Sequence, residues 1–424
     1  MTNPRFEKRA DFAAEMDARD PLACFRDRFF IPKTKDGADC VYLCGHSLGL
    51  QPKAVSSHIE QELRDWAELG VEAHFEARNP WMPYHRLLTK QTASLVGAQP
   101  SEVVVMNSLT VNLHLMMVSF YRPTAERHKI LVERGAFPSD QYAVKSQIRF
   151  HGFDPATSLL ELTPREGEFC MRDEDIESLI EREGDSIALI LLGGVNYVTG
   201  QAFDVATITK AGHRKGCVVG FDLAHAVGNI PLHLHGWGPD FAVWCNYKYL
   251  NGGPGCVGGC FVHERNARAQ EMPRFAGWWG HNESTRFQMR PDFHPMPGAE
   301  GWQLSNPPIL ALAALRASLE IFAEAGIQPL RVKSIGLTGY LNFLLDQHDS
   351  SKFSVITPQD EEKRGAQLSI RLPDQGRQVC DRLAAAGLIG DWREPDIFRV
   401  APVPLYNSYQ DVYRFAQAFA TALS

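Results

Sequence analysis

The feature of this sequence that most restricts its fold is a pair of short apolar segments on either side of a stretch suited to a helix. Residues 187–192 and 217–222 are the apolar segments, and residues 206–215 lie between them. Parallel strands that are buried on both faces have such continuous apolar runs, and a helix between two of them forms the crossover. Similar segments alternate through the middle of the chain, which predicts an α/β fold with a mainly parallel sheet.

The last hundred residues follow a different pattern. Pro307 and Pro308 begin a predicted helix with an apolar face, which ends near Gly326. A long helix, short strands around residues 368–372 and 398–400, and a terminal helix then indicate a smaller α+β domain. We therefore predict a large domain over residues 51–310 and a small C-terminal domain over residues 311–424, which the segment 1–50 joins.

Composition and charge argue against several classes of function. Of the 424 residues, 43 are Lys or Arg and 50 are Asp or Glu, so the net charge is −7 and no basic block is available for nucleic acid. The longest apolar run, residues 187–195, is shorter than the ~20 residues of a membrane span, and the charged N-terminus does not resemble a secretory signal. We expect a cytoplasmic protein that acts on neither nucleic acid nor membranes.

The nine cysteines are odd in number and too sparse for a disulfide framework, so we expect free thiols. The CxxxC pairs Cys40/Cys44 and Cys256/Cys260 have neither a second cysteine pair nor a well-spaced histidine pair nearby. A structural zinc site needs four such ligands. The sequence therefore predicts no metal site.

Two glycine motifs suggest chemistry that their surroundings do not support. Residues 45–49 match GxSxG, the nucleophile elbow of α/β-hydrolases, with Ser47 at the centre. That elbow is a sharp strand-to-helix turn, whereas the next predicted helix opens only at Pro52. Residues 253–258 match GxGxxG, but they lead into a strand and not into the helix that a dinucleotide requires. A serine hydrolase using Ser47 stays open as an alternative.

Asp222 and Lys248 carry the strongest chemical signal. Asp222 ends a buried strand, where open α/β sheets bind their ligands, and Lys248 follows the next apolar segment. A pyridoxal phosphate (PLP) enzyme needs such an amine to bind the cofactor and such a carboxylate to pair with its pyridine nitrogen. The alternative is a turn cap at Asp222 and a solvated amine at Lys248.

Three further segments favour the PLP interpretation. Residues 107–110 lie between a predicted strand and a helix, where backbone N–H groups bind phosphate. Phe137 and Asp140 follow the next strand and offer an aromatic face and a polar partner. Residues 252–259 form a glycine-rich loop beside Lys248. Together they predict a phosphate site, a stacking surface, a nitrogen partner and an amine.

The sequence resembles the kynureninases, a family of PLP enzymes with the aspartate-aminotransferase fold (fold type I). The matching strings, spread from about residue 40 to residue 410, are YLCGHSLGLQPK, NSLTVNLHLMMVSFYRP, AFPSDQYA, GFDLAHAVGN, WCNYKYLNGGPG, GWWGH, STRF, SNPPIL and RVAPVPLYNSY. The resemblance implies a homodimer with active sites at the interface. It also implies hydrolysis of L-kynurenine or 3-hydroxy-L-kynurenine to L-alanine and the matching anthranilate, in tryptophan degradation or NAD biosynthesis.

The resemblance also implies a role for individual residues. Lys248 carries PLP, Asp222 pairs with the pyridine nitrogen, and Tyr247 contacts the phosphate and relays a proton. The other implied cofactor contacts are Leu109, Thr110, Phe137, Pro138, Ser139, Asp140, His225, Trp278 and Asn306. The implied substrate contacts are Arg399, which clamps the α-carboxylate, and His74, Ser47 and Ser305 at the aromatic end.

Some of these implications have alternatives. His74 and Arg399 are also compatible with surface roles, and Trp278 with simple packing. Family members often have a hydroxyl residue at the position of Gly193, so that phosphate contact is not expected here unless a backbone N–H replaces it. A cysteine desulfurase is a further alternative, but Cys380, the one cysteine of the C-terminal part, falls within a predicted helix. Residue types do not indicate which kynurenine is preferred.

Overall fold

The computed structural model describes residues 6–268, 271–348 and 351–423. Its α-helices are α1 (Ala10–Ala18), α2 (Val55–Leu69), α3 (Ala73–Glu76), α4 (Arg86–Val96), α5 (Leu109–Phe120), α6 (Pro138–Phe150), α7 (Pro155–Ser158), α8 (Asp173–Glu183), α9 (Val205–Arg214), α10 (Leu234–Trp237), α11 (Glu264–Ala267), α12 (Glu283–Arg286), α13 (Ile309–Ala325), α14 (Ile327–Leu345), α15 (Gly376–Ala385) and α16 (Tyr409–Leu423). Its strands are β1 (Val41–Tyr42), β2 (Val103–Val105), β3 (Lys129–Glu133), β4 (Leu159–Leu162), β5 (Ile187–Gly193), β6 (Val218–Asp222), β7 (Phe241–Cys245), β8 (Gly258–Val262), β9 (Ser354–Val355), β10 (Leu368–Arg371), β11 (Leu388–Ile389), β12 (Asp391–Arg393) and β13 (Ile397–Val400).

The large domain is built on a seven-stranded sheet in the order β2-β8-β7-β6-β5-β3-β4. The prediction of a mainly parallel sheet is confirmed, because β8 alone runs against its neighbours β7 and β2. Both faces of the sheet are covered: Leu189 and Leu191 of β5 enter one apolar core, while Ile190 and Leu192 enter the other. Burial on both faces is the reason that these strands read as unbroken apolar runs.

The order of the strands places the candidate site. Parallel strands β3, β5, β6 and β7 end at the same edge of the sheet, at Glu133, Gly193, Asp222 and Cys245. Side chains that lie far apart in the sequence therefore meet at this edge, which is where open α/β sheets bind ligands.

The smaller domain contains the four-stranded antiparallel sheet β12-β13-β10-β9 and the helices α14, α15 and α16. The N-terminal strand β1 pairs with β11 of this domain, and Phe12 and Leu43 share its core. These contacts support the proposal that the N-terminal segment belongs with the small domain. Helix α13 packs on α2 in the core of the large domain, which favours a boundary after α13, and the division at residue 310 stays a prediction.

One local expectation differs from the structure. The helix expected to open at Pro52 begins at Val55, because Pro52 forms an isolated bridge with Phe29. Within the described ranges, the helices are too short or too polar for any of them to span a lipid bilayer.

Candidate active site

The carboxyl edge of the sheet and the first turns of α5 and α6 enclose a cavity of about 210 Å³. Nine residues predicted for the site line this cavity: Leu109, Thr110, Phe137, Ser139, Asp140, Asp222, His225, Tyr247 and Lys248. Pro138 is the first residue of α6, directly after Phe137. The strand order thus brings together the residues predicted to bind the cofactor, except Trp278 and Asn306, which lie outside the cavity.

Lys248 is held at the centre of the cavity by aromatic rings and a histidine. Its Nζ donates to Nε2 of His225 at 3.0 Å and lies 5.9 Å from the ring centre of Phe137 and 5.8 Å from that of Tyr247. Burial, followed by the charge of Lys248, holds the pKa of His225 well below its usual value. His225 is therefore a neutral acceptor, which orients the amine without competing for its proton.

Asp222 and Asp140 form a pair of half-buried acids whose carboxyl groups interact with each other. Asp222 Oδ1 accepts from the backbone N–H of Ala224 at 2.7 Å, and burial raises the pKa of Asp222 while Lys248 opposes the shift. Burial and the neighbouring charge of Asp222 raise the pKa of Asp140 well above its usual value. Asp140 is therefore the acid that takes up a proton first and donates to Asp222, and with one proton bound the pair presents one negative charge to the cavity.

Glu133 is a cavity residue that the sequence analysis missed. It is 4% exposed, its Oε1 accepts from the N–H of Gly193 at 2.6 Å, and its Oε2 accepts from Nδ2 of Asn196 at 2.5 Å. Oδ1 of Asn196 accepts in turn from the N–H groups of Val198 and Thr199, each at 2.9 Å. The N–H of Gly193 is thus bound to Glu133, so it is not the backbone N–H that would replace a missing hydroxyl at the phosphate.

The same geometry explains why residue 193 is glycine. A Cβ on Gly193 would lie 2.8 Å from Oε1 of Glu133, inside normal contact distance. We expect Gly193→Ala to lower the free energy of unfolding by about 1–3 kcal/mol, the range for overpacking in a well-packed interior. Urea denaturation measures the change.

Gly236 provides the control for this substitution, because a Cβ there would meet nothing within 4 Å. Gly236 lies in helix α10, where alanine is favoured over glycine, so Gly236→Ala is expected to leave the stability unchanged or slightly higher. Equal unfolding free energies for Gly193→Ala and the unsubstituted protein would contradict the role given to Glu133.

The first turn of α5 is suited to an anion. The N-cap residue Ser108 makes no side-chain capping bond to the described residues, so the first N–H groups of α5 are available to a ligand. Thr110 Oγ1 and Ser139 Oγ lie 2.9 Å apart at the same end of the cavity. A Cβ on Gly258 would approach the N of Leu109 to 3.2 Å, which accounts for one glycine of the loop.

These groups match the functional groups of PLP. Lys248 supplies an amine, the Asp222–Asp140 pair supplies a single negative charge, and Phe137 supplies an aromatic face that is 43% exposed. The N-terminus of α5 and the hydroxyls of Thr110 and Ser139 supply donors for a phosphate. The residues present therefore fit the cofactor.

Arg399 does not line the cavity. Its side chain is 1% exposed, it forms an ion pair with Asp391, and its Nη1 donates to the carbonyl of Tyr197 at 2.7 Å. Tyr197 lines the cavity, so Tyr197 separates Arg399 from the cavity. Asp391 lies on the short strand β12 and had no signal in the sequence.

The other predicted substrate contacts, and two of the predicted cofactor contacts, are also outside this cavity. Ser47 lies in the turn after β1, where its N–H donates to the carbonyl of Cys44, and the following helix begins at Val55. Nδ1 of His74 is 3.0 Å from the carbonyl oxygen of Val71. The remaining three residues are exposed at the surface: Trp278, Ser305 and Asn306. The roles of these residues stay predictions.

Comparisons with known proteins find a matching family model and similar sequences over the whole chain. A family model described as "Kynureninase C-terminal domain" matches residues 330–419. Curated relatives named kynureninase are similar along the whole chain. The relative from Koribacter versatilis is 70% identical over 424 residues and covers 100% of both chains. Those from Myxococcus xanthus and Stenotrophomonas maltophilia are 61% and 54% identical, covering 98% and 96% of both chains.

Solved structures show the same fold at low sequence identity. The cysteine desulfurase CsdA of Escherichia coli matches with a TM-score of 0.77 and 20% identity, covering 95% of this chain and 98% of its own. The cystine lyase C-DES matches with a TM-score of 0.75 and 17% identity, covering 90% and 97%, in a structure with glycine linked to its PLP cofactor. These likenesses confirm the predicted fold type I.

Proposed function

Because the chain belongs to the kynureninase family, we propose that it hydrolyses L-kynurenine, or its 3-hydroxy form, to L-alanine and anthranilate or 3-hydroxyanthranilate. The observation that carries the proposal is the amine of Lys248 in one cavity with the Asp222–Asp140 pair, His225 and Phe137. Tryptophan degradation and NAD biosynthesis are the pathways that use this reaction.

The reaction splits the Cβ–Cγ bond of the substrate. The oxygen of water ends on the aromatic acid, and a proton is added at Cβ to complete L-alanine. PLP, when bound, supplies a ring that accepts the electrons released at Cα. We propose that Lys248, Asp222, Phe137, Thr110 and the first turn of α5 hold the cofactor.

We propose that different residues of the cavity carry out the separate proton transfers of the reaction. With PLP bound and its own Nζ free, Lys248 would remove the proton at Cα, and His225, 3.0 Å from Nζ, would keep the amine in position. Asp222 would pair with the pyridine nitrogen, because burial and the charge of Asp222 raise the pKa of Asp140 and make Asp140 the acid that takes up a proton first. Burial raises the pKa of Tyr247, which keeps its hydroxyl protonated as a donor for the last step.

We also propose that the protein is a homodimer with active sites at the interface. Support comes from a largely apolar groove of about 760 Å³ that Phe30, Leu48 and Leu310 help to line, each of them more than a third exposed. Exposed apolar surface of this extent is typical of protein interfaces. Trp278 and Asn306 are exposed, as expected for residues that face a partner's cavity.

All nine cysteines are free thiols, which supports a cytoplasmic location.

The test is turnover by the PLP-loaded protein with each of the two kynurenines. We expect fluorescent anthranilate and L-alanine to appear in equal amounts, and kcat/KM for the two substrates to identify the preferred one. If neither substrate is cleaved by protein that has bound PLP, the proposed function is wrong.

The same protein supplied with L-cysteine tests the desulfurase alternative. Cys380 is 9% exposed in helix α15, and burial raises the pKa of its thiol to about 12. A protonated thiol in a helix is a poor nucleophile, so we expect little sulfide. Sulfide release faster than anthranilate release would favour the desulfurase over the kynureninase.

A further inference from the structure

His46 is a buried histidine whose ring has no hydrogen-bond partner among the described residues. Its exposed fraction is 0%, and both Nδ1 and Nε2 are unpaired. Buried polar atoms in folded proteins are nearly always paired, so each exception calls for an explanation. His46 lies in the turn after β1, next to Ser47, in a segment to which the resemblance assigned a substrate contact.

His46 lies near charged residues of both the cavity and the small domain. Nε2 of His46 is 3.7 Å from Oδ2 of Asp391, just beyond hydrogen-bond distance, and the same oxygen pairs with Arg399 and with Nη2 of Arg393 at 2.9 Å. Burial and the charges of Arg399, Lys248 and Arg393 hold the pKa of His46 well below its usual value. The ring is therefore a neutral imidazole with one N–H, within the field of both Arg399 and Lys248.

A metal ion does not explain this arrangement. Ligand atoms of Cys44, His46 and Asp391 lie within 4.8 Å of one another, a set that zinc accepts in other proteins. Here, however, Asp391 is already paired with two arginines, and the positive charges that disfavour protonation of His46 also disfavour a divalent cation. An anion is the ligand that these charges attract.

We propose that His46 is a second binding residue for the α-carboxylate of the substrate, and that its N–H donates to the carboxylate held by Arg399. This inference rests on the proposed function. In an amino acid the α-amino nitrogen and the carboxylate are separated by a single carbon. A substrate whose amino nitrogen takes the position of the Nζ of Lys248 would therefore have its carboxylate close to that point, and the charges of both Lys248 and Arg399 act on the ring of His46.

Arg399 also has N–H donors that are not used by other described residues. Nη1 donates to Tyr197 and Nη2 to Asp391, while Nε is buried without a partner among the described residues. A guanidinium has five N–H donors and these contacts use two of them, so the Nε–H of Arg399 and the imidazole N–H of His46 are both available for the two oxygens of a carboxylate. Asp391 holds the guanidinium in place, which makes it a positioning residue.

The test compares a ligand that has the α-carboxylate with one that lacks it. L-Alanine binding to the PLP-loaded protein is followed by the absorbance of the cofactor, and 2-aminoacetophenone, which keeps the aryl ketone alone, is assayed as an inhibitor. A hydrogen bond to a charged group is worth about tenfold to a hundredfold in affinity. We expect His46→Ala to weaken L-alanine binding by that factor and to leave inhibition by 2-aminoacetophenone within about twofold.

A conservative variant separates binding from folding. Asparagine keeps an N–H donor of similar reach, so His46→Asn is expected to recover most of the affinity for L-alanine. The control His128→Ala removes a histidine that stacks on Phe153 and precedes β3, at the opposite edge of the sheet, and it should bind both ligands normally. Equal weakening of both ligands in His46→Ala and His46→Asn would mean a structural role and overturn the inference.

A double variant tells direct contact from an effect that passes through Asp391. If His46 touches the carboxylate, His46→Ala still weakens L-alanine binding severalfold in the background of Asp391→Asn. If it makes no further difference there, His46 acts through Asp391 and the inference is wrong. Failure of the proposed function has another signature, because the unsubstituted protein would then not cleave kynurenine, whatever the affinity of the variants for L-alanine.

Discussion

Lys248→Ala is expected to abolish turnover of kynurenine, lowering kcat by about 10⁴-fold or more, because one side chain both anchors the cofactor and moves the proton at Cα. Lys248 is placed for both tasks: its Nζ lies in the cavity, bonded to His225 at 3.0 Å. The variant is also expected to lack the absorbance band of lysine-bound PLP. Stopped-flow absorbance and anthranilate fluorescence measure the two losses separately.

Lys210→Ala is the matched control, because Lys210 is an exposed lysine of helix α9. It should keep both the absorbance band and the activity of the unsubstituted protein. Turnover by Lys248→Ala within tenfold of that protein would refute the assignment of Lys248. A normal absorbance band in the variant would refute it independently, since the cofactor would then be attached elsewhere.

Asp222→Asn is expected to lower kcat by about 10²–10³-fold, the usual effect of losing one charged or hydrogen-bonding group that stabilises developing charge. The substitution leaves the shape of the side chain almost unchanged and removes the negative charge that the Asp222–Asp140 pair presents. PLP binding is expected to survive, because Lys248 and the first turn of α5 are untouched. Steady-state kinetics and cofactor content together measure the effect.

Two comparisons sharpen this prediction. Asp140→Asn keeps the charge of Asp222 and still donates a hydrogen bond to it, so we expect a smaller loss than for Asp222→Asn. The control Asp185→Asn changes an acid that is 89% exposed on the surface and should not affect kcat. If Asp140→Asn were the more damaging of the two, the charge would reside on Asp140 and the assignment of the pair would be reversed.

The Asp222–Asp140 pair and Glu133 place three acids near a single lysine, and the structure shows how this arrangement is tolerated. Burial and the charge of Asp222 raise the pKa of Asp140, and burial also raises the pKa of Glu133, although the donors of Asn196 and Gly193 oppose that shift. The local negative charge is therefore smaller than the count of carboxyl groups suggests. The carboxyl groups therefore repel an anionic phosphate at the first turn of α5 less strongly than three carboxylates would.

Much of the cavity could be predicted from the sequence, because its residues follow strands that are recognisable as apolar runs. Asp222 and Lys248 come after two such runs, and Thr110 and Phe137 come at the start of helices that follow two others. Glu133 also stands at the end of an apolar run, the same signal that identified Asp222. The sequence, however, shows no partner for an acid at that position. Its partners, Gly193 and Asn196, are supplied by β5 and the segment after it.

Other parts of the site had no signal that a single sequence can show. Asp391 belongs to a three-residue strand, and it reaches Arg399 only because β12 and β13 pair in antiparallel register. His46 comes from the N-terminal segment and reaches Asp391 because β1 pairs with β11 of the small domain. Pairings between such distant and short segments leave no periodicity in the sequence.

The amino-acid pattern predicts which segments become buried strands and helices, because burial on one or both faces imposes a local period on the apolar residues. It also predicts the chemical types at the strand ends, an acid at the end of β6 and an amine after β7. The pairing of Asp222 with Asp140, the bond from the N–H of Gly193 to Glu133, and the ion pair of Arg399 with Asp391 behind Tyr197 are seen only in the folded protein. Those outcomes depend on distances of a few ångströms between segments that are far apart in the chain, and on how completely water is removed from each group.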